Sequence, residues 1–213
     1  MNIKLENVLP IPLTSMGHSE NSIWSNKIEL FAGQKVIADA YSGKGKSTLI
    51  SLLFGVRSDY NGIIYFDNQN ISSFTINDWT LLRKNRIAAV FQDLQLFPNL
   101  SVKDNLLLKN QLTHLYTEQE ILELIDRVGL IDKWEQKCNN LSMGQQQRVA
   151  IVRSILQPFA WLFLDEPFSH LDEVNTDICL KLILEKASLN NSGVILTTLG
   201  NNYSVQWDQH LYL

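Results

Sequence analysis

The chain has 213 residues, 45% of them apolar, which is enough for one domain with a sizeable core and argues against disorder. With 22 acidic against 18 basic residues, a net charge of −4 and no basic tract, a surface made for nucleic acid or anionic lipid is not expected, because either needs clustered Lys and Arg. The longest apolar runs, such as residues 160–164, fall far short of the roughly twenty residues that cross a bilayer, and residues 1–4 lack a signal-peptide core, so the sequence predicts a soluble protein that stays inside the cell.

Residues 2–9 alternate apolar and polar, the period of a half-buried strand, and Pro10 and Pro12 are expected to stop its pairing. Residues 14–26 read as a polar loop with Ile23 and Trp24 as its bulky anchors. Residues 28–31 then form a strand, Gly33 a tight turn, and residues 35–38 the return, so that two strands precede the next element as an antiparallel edge would.

An apolar run at residues 36–38 feeds the segment 39–48, and a second, at residues 49–54, leaves it: strand, loop, helix. Against the pattern G-x-x-x-x-G-K-[ST], Gly45, Lys46 and Ser47 match, Thr48 follows, and Ala40 stands where the opening glycine belongs. Inward-pointing backbone N–H groups can surround a triphosphate only where side chains do not block the approach, and Gly43 and Gly45 supply that room. Ser42, Gly43, Lys44, Gly45, Lys46, Ser47 and Thr48 are therefore the candidate phosphate cradle, with Lys46 placed for the β- and γ-phosphates, Ser47 for Mg²⁺ and Thr48 for the α-phosphate. A Cβ avoids positive φ, so Ala40 requires the loop to begin in a conformation alanine can adopt. The bland alternative is a glycine-containing turn that binds nothing.

Gly55 closes the following helix, residues 62–67 give a short strand with a hairpin partner nearby, and residues 77–85 a short helix. Residues 87–91 are a continuous apolar run, as in a strand buried on both faces, ending at Gln92, and α/β sheets place chemistry at such carboxyl ends. From residue 101 to 157 the periodicity is helical, with Ser101 before Asp104 and Thr117 before Glu120 as capping boxes and Gly129 as a stop. Ser142 is an N-cap and Gly144 bares the first turn, which suits either an anion site or an ordinary capped helix.

Residues 160–164 form a buried strand ending in Asp165, Glu166 and Pro167. Carboxylates at the tip of an apolar strand are costly unless they meet a cation or a positioned water, so Asp165 suits a metal's shell and Glu166 an attacking water. A turn at residues 169–172, a helix at 174–187, a buried strand at 193–198 and a short strand at 207–213 complete the chain. Cys138 and Cys179 lack metal spacing and fit a reducing compartment.

In this order the pieces resemble the ATP-binding cassette (ABC) ATPases over nearly the whole chain, and are similar to the group that includes lipoprotein-release and macrolide-export ATPases. Residues 40–48 look like the Walker A, Gln92 like the Q-loop glutamine, residues 141–145 like the family signature with Met143 in place of its usual glycine, residues 162–166 like the Walker B, and residues 169–172 like the D-loop. The resemblance implies one α/β cassette over residues 1–213, with a mainly parallel core sheet, an antiparallel β edge subdomain and an inserted α-helical subdomain. Residues 1–91 would carry the antiparallel edge and Walker A core, 92–157 the helical subdomain with the signature, and 158–213 the Walker B core.

It further implies an ATPase using ATP and Mg²⁺ and pairing head to tail, as a homodimer or pseudo-dimer of cassettes around ATP. Lys46 and the loop amides would hold the phosphates, Ser47, Gln92 and Asp165 the Mg²⁺ shell, and Glu166 the lytic water. Ser142, Gly144 and Gln145 of the second copy would close the site. Thr198 stands where a γ-phosphate-sensing histidine is usual and cannot bring imidazole's charge, so slow or partner-dependent hydrolysis is expected; for the aromatic that stacks on adenine, residues 14–21 offer only His18. The partner would be an integral membrane permease, with no nucleic acid, and the location cytoplasmic, peripheral on the inner face of the cell membrane. A non-transport regulatory cassette is the alternative, and a small-molecule kinase, which needs an acceptor site and an arginine-rich lid, ranks last.

Overall fold

Side-chain alternation sorts the strands into two sheets. The structure, a computed structural model, describes every residue except Met16, His18, Glu20 and Ser42. The chain runs through β1 (Ile3–Pro10), β2 (Lys27–Leu30), β3 (Lys35–Asp39), α1 (Lys46–Leu53), β4 (Tyr60–Phe66), β5 (Gln69–Asn70), α2 (Ile76–Asn85) and β6 (Ile87–Val90). Three helices follow, α3 (Val102–Asn110), α4 (Glu118–Arg127) and α5 (Met143–Ser154), and then β7 (Trp161–Asp165), α6 (Glu173–Leu189), β8 (Gly193–Thr198) and β9 (Gln209–Tyr212).

The antiparallel sheet has the order β2-β1-β4-β5 and the parallel sheet the order β6-β7-β8-β3-β9. β1 buries Ile3 and Leu5 in the alternation its sequence predicts, and a register shift between Glu6 and Leu9, with Asn7 at φ +51°, then moves the buried set to Val8 and Pro10. Pro10 does not stop the pairing but closes it, as the last residue of β1 opposite Tyr60, where a missing N–H is tolerated; Pro12 sits in a 3₁₀ turn. The expected hairpin partner after residue 67 is β5, reached through Asp67 and Asn68, both at positive φ as a tight primed turn requires.

One expectation is corrected. The turn at Gly33 does not fold β3 back onto β2; it carries the chain from the antiparallel sheet into the parallel one, where β3 lies between β8 and β9. The reason is burial. β3 presents Val36, Ile37 and Ala38 to apolar surroundings on both faces, a pattern only a sheet covered on both sides accepts, whereas β2 buries Leu30 alone.

The parallel sheet divides two cores. Trp161, Phe163, Ile195, Val36 and Ala38 face α1 and the antiparallel sheet, while Leu162, Leu164, Val194, Leu196 and Ile37 face the helices, where α5 supplies Val149, Ile151 and Val152 and α6 supplies Cys179, Leu180 and Ile183. The helical stretch between residues 101 and 157 is as the periodicity predicts, with filled capping boxes at Ser101/Asp104, Thr117/Glu120 and Ser142/Gln145. Both cysteines are buried and unpaired, and burial pushes the Cys179 thiol up to about 12, as expected of a packed, inert side chain. Among the described residues no helix is long and apolar enough to cross a membrane.

Gly193 pairs with Trp161 in the register of β7 and β8, and a Cβ there would lie 2.4 Å from the Trp161 ring. Gly193→Ala is therefore expected to overpack the sheet by about 1–3 kcal/mol and to lower the thermal midpoint by several degrees, which differential scanning calorimetry reads directly.

Candidate functional site

Parallel registry brings four strand ends to one edge: Val90 pairs with Leu164, Asp165 with Thr197, and Asp39 with Thr198. The phosphate loop, Gln92, the two carboxylates and Thr198 all leave the sheet there, at the edge where α/β folds bind ligands.

In the loop, Gly43 and Gly45 have φ of +80° and +104°. A Cβ at Gly43 would meet nothing within 4 Å, whereas at Gly45 it would fall 2.7 Å from the Leu13 side chain and 2.9 Å from the Trp24 ring. Gly43 thus leaves an open approach on the outer side, and Gly45 lets the backbone settle onto its support. That support is Trp24, fully buried, whose indole N–H donates to the Lys44 carbonyl at 3.3 Å. Trp24 braces the loop from beneath and is not an adenine platform; His18 and Ser42 lie outside the described residues. Ala40 is not among the described residues with positive φ, so the loop begins in a conformation alanine adopts without strain.

Lys46 is 5% exposed. Its Nζ donates to the carbonyls of Ala40 (2.7 Å) and Tyr41 (3.3 Å) and lies 3.3 Å from the Glu166 carboxylate. Glu166 follows β7 with φ +47°, a left-handed conformation costly for a residue with a side chain and typical of functional sites. Its N–H donates to the Thr197 hydroxyl at 3.0 Å, and that hydroxyl donates to Asp165 at 2.9 Å. The Asp165 carboxyl is pushed upward, first by burial and further by the Glu166 charge, while hydrogen bonds from Ser47 and Thr197 hold it back. A buried, partly compensated carboxylate beside an exposed serine hydroxyl is a fitting donor set for a small hard cation that keeps most of its waters. Among the described residues no cluster of three or more His, Cys, Asp and Glu could hold a metal by protein ligands alone.

The other predicted residues divide. Thr48 is half-buried at the start of α1. Gln92 is exposed, two residues past β6, and the loop after it is fastened by Arg153, which donates to the carbonyls of Leu94 (2.8 Å) and Gln95 (2.7 Å). Thr198 is buried and its hydroxyl accepts the N–H of Asn201 at 3.1 Å, so it caps the next turn. At the head of α5, Ser142 Oγ accepts the N–H of Gln145 (3.3 Å) and Gln145 Oε1 accepts the N–H of Ser142 (2.9 Å), an ordinary filled cap. Gly144 is there for a second reason: a Cβ would lie 2.6 Å from the His170 carbonyl. Three site-shaping residues are not singled out by the sequence. Thr197 and Gln147 look like any polar residue on a buried face, and Trp24 is legible only as an anchor.

The architecture is that of a phosphate-loop nucleotide-binding cassette. The profile of the ABC transporter family matches residues 27–169, and the chain belongs to that family. It is 30% identical over 190 residues to the lipoprotein-releasing system ATP-binding protein LolD of Pseudomonas fluorescens, covering 88% of this chain and 84% of that one. It is also 30% identical over 199 residues to an uncharacterized ABC transporter ATP-binding protein of Mycobacterium tuberculosis, covering 92% of this chain but spanning only 60% of the relative's length. Among solved structures, the dimeric bacterial ABC transporter cassette MJ0796 superposes with a TM-score of 0.84 at 25% identity, covering 99% of this chain and 94% of that one. The same cassette in a post-hydrolysis state bound to ADP and Pi gives a TM-score of 0.83.

Because burial raises the Asp165 carboxyl above its unfolded value, the folded state binds more protons in the window just above that value, and stability falls as pH rises through it. Asp165→Asn removes the buried charge; its amide oxygen can still accept from Thr197, and its amide NH2 can donate to the Ser47 hydroxyl. The nucleotide-free variant should melt a few degrees higher than the wild type at pH 7, with the gain shrinking as pH falls toward the ordinary aspartate range; thermal melts across pH check both the sign and the window.

Proposed function

We propose that this chain is the ATP-binding and ATP-hydrolysing subunit of an ABC transporter, and that two cassettes close around ATP to drive a membrane permease. The observation that carries this reading is the Lys46–Glu166 contact at the strand edge, beside a phosphate loop of open approach and a buried carboxylate on Ser47. The transporter names of the relatives, and the dimeric form of MJ0796, favour transport over a regulatory role.

Lys46 here neutralises the carboxylate it lies against. A triphosphate in the loop offers Lys46 denser negative charge than Glu166 does, so the lysine turns to the β- and γ-phosphates and the carboxylate is released. Glu166, held by its N–H on Thr197, then accepts a proton from a water as that water attacks the γ-phosphorus and the bond to the β–γ bridging oxygen breaks. Asp165, Ser47 and Gln92 are the side chains that would hold Mg²⁺, which neutralises charge developing on the phosphates when bound. The amides of residues 42–48 cradle the phosphates, and Ser142, Gly144 and Gln145 of the opposing cassette close on the γ-phosphate. Thr198, whose hydroxyl accepts from the Asn201 N–H, supplies no charge, so slow turnover is expected. Binding under the cell membrane follows from the permease, not from the chain itself.

For the permease the surface offers Phe97, Leu108 and Leu112, each 44–54% exposed, around a cavity of about 330 Å³ that also receives Lys109 and Arg153. Burial, and then the Arg153 charge, pushes Lys109 down to about 8. An exposed apolar rim around two cations suits an apolar permease segment bearing a carboxylate.

The test is Glu166→Gln. With saturating Mg-ATP the variant should lose hydrolysis and run as a dimer by analytical ultracentrifugation, where the wild type exchanges between monomer and dimer; a variant that stays monomeric both alone and with its permease would overturn the proposal. Leu108→Glu should leave that dimer intact and abolish co-purification of the permease from membranes.

A further inference from the structure

Gln147 is 2% exposed on α5, yet both ends of its amide leave the helix. Nε2 donates to Ser169 Oγ at 2.8 Å, and Oε1 accepts the backbone N–H of His170 at 3.0 Å. The segment it grips begins at Glu166, whose carbonyl accepts the N–H of Ser169 at 3.3 Å. One turn earlier on α5, Gly144 lies against the His170 carbonyl so closely that no Cβ would fit. Beyond the grip, Asp172 caps α6 through the N–H of Asn175 at 2.8 Å, and Arg148 donates to Asn175 Oδ1 at 2.9 Å. The start of α5 and the segment after the carboxylates are therefore joined by one buried amide, whose two hydrogen bonds reach the exposed residues Ser169 and His170.

We propose that Gln147 is a positioning residue that ties the two nucleotide sites of a cassette pair together: what Ser142 and Gly144 feel at the opposing site is passed through Gln147 to Ser169 and so to Glu166 of this copy's own site. This rests on the paired-cassette reading above. Under that reading the head of α5 and Glu166 serve different ATP molecules, so a rigid link between them couples the two turnovers. Gln147 touches neither nucleotide and acts through the placement of Glu166, where a displacement near 1 Å costs about a hundredfold in rate.

The experiment compares the full chain with Gln147→Leu, which keeps the volume and removes both hydrogen bonds, and Gln147→Glu, whose carboxylate accepts from the His170 N–H and the Ser169 hydroxyl. In wild-type protein the Hill coefficient of hydrolysis against Mg-ATP should rise toward two, the number of sites. Gln147→Leu should bring it to about one and lower kcat roughly ten- to a hundredfold, with unchanged affinity for a fluorescent ATP analogue; Gln147→Glu should recover most of both. Adding Ser169→Ala to Gln147→Leu should cost much less than Ser169→Ala does in the wild type, since the bond to Gln147 is already gone and only the 3.0 Å contact of Ser169 Oγ with His170 Nδ1 remains to lose. If Gln147→Leu proves unfolded by circular dichroism, the Gln147→Glu and Ser169→Ala proteins carry the same comparison. A wild-type Hill coefficient and kcat in Gln147→Leu, or full additivity with Ser169→Ala, would overturn the proposal alone. Failure of the wild type to pair with Mg-ATP would instead overturn the paired-cassette reading, and this inference with it.

Discussion

A parallel sheet buried on both faces is the constraint from which the rest follows. Strand β7 places Trp161 and Phe163 in one core and Leu162 and Leu164 in the other, so neither a charge nor a register slip is tolerated along its length. Its carboxylates can stand only at the open carboxyl end, and parallel pairing with β8, and through β8 with β3, brings the phosphate loop and Thr197 to that same end. The site is built where the sheet runs out of apolar neighbours.

At that edge the electrostatics balance locally. Lys46 and Asp165 are both buried, and each would be costly alone; Glu166 and two carbonyls compensate the lysine, while Ser47 and Thr197 compensate the aspartate. A cation and a carboxylate 3.3 Å apart are stable until something more negative arrives. Under the proposed function, recognition of the triphosphate and release of the base are a single exchange of partners for Lys46, and the left-handed backbone at Glu166 sets where that carboxylate stands.

Helix α5 links the parts that do not touch the phosphate loop. Its head carries the capped serine and the glycine fitted against His170, its middle grips Ser169 and His170 through Gln147, and its end holds the loop after Gln92 through Arg153. Its other face packs in the core beneath the sheet, through Val149, Ile151 and Val152.

By itself the sequence determined whatever depends on neighbours along the chain. The loop residues Gly43, Gly45, Lys46 and Ser47 fall at fixed spacing, the capping boxes at Ser101, Thr117 and Ser142 close within one helical turn, and the apolar runs of β7 and β8 declare strands covered on both faces. Tertiary structure alone decided that β3 leaves β2 for the other sheet, that Trp24 supports Lys44 and Gly45, that Thr197 bridges Asp165 and Glu166, and that Gln147 reaches Ser169. Those partners lie 20 or more residues apart, and a polar side chain gives no local sign of which distant group it will meet; only packing brings the two within hydrogen-bond reach.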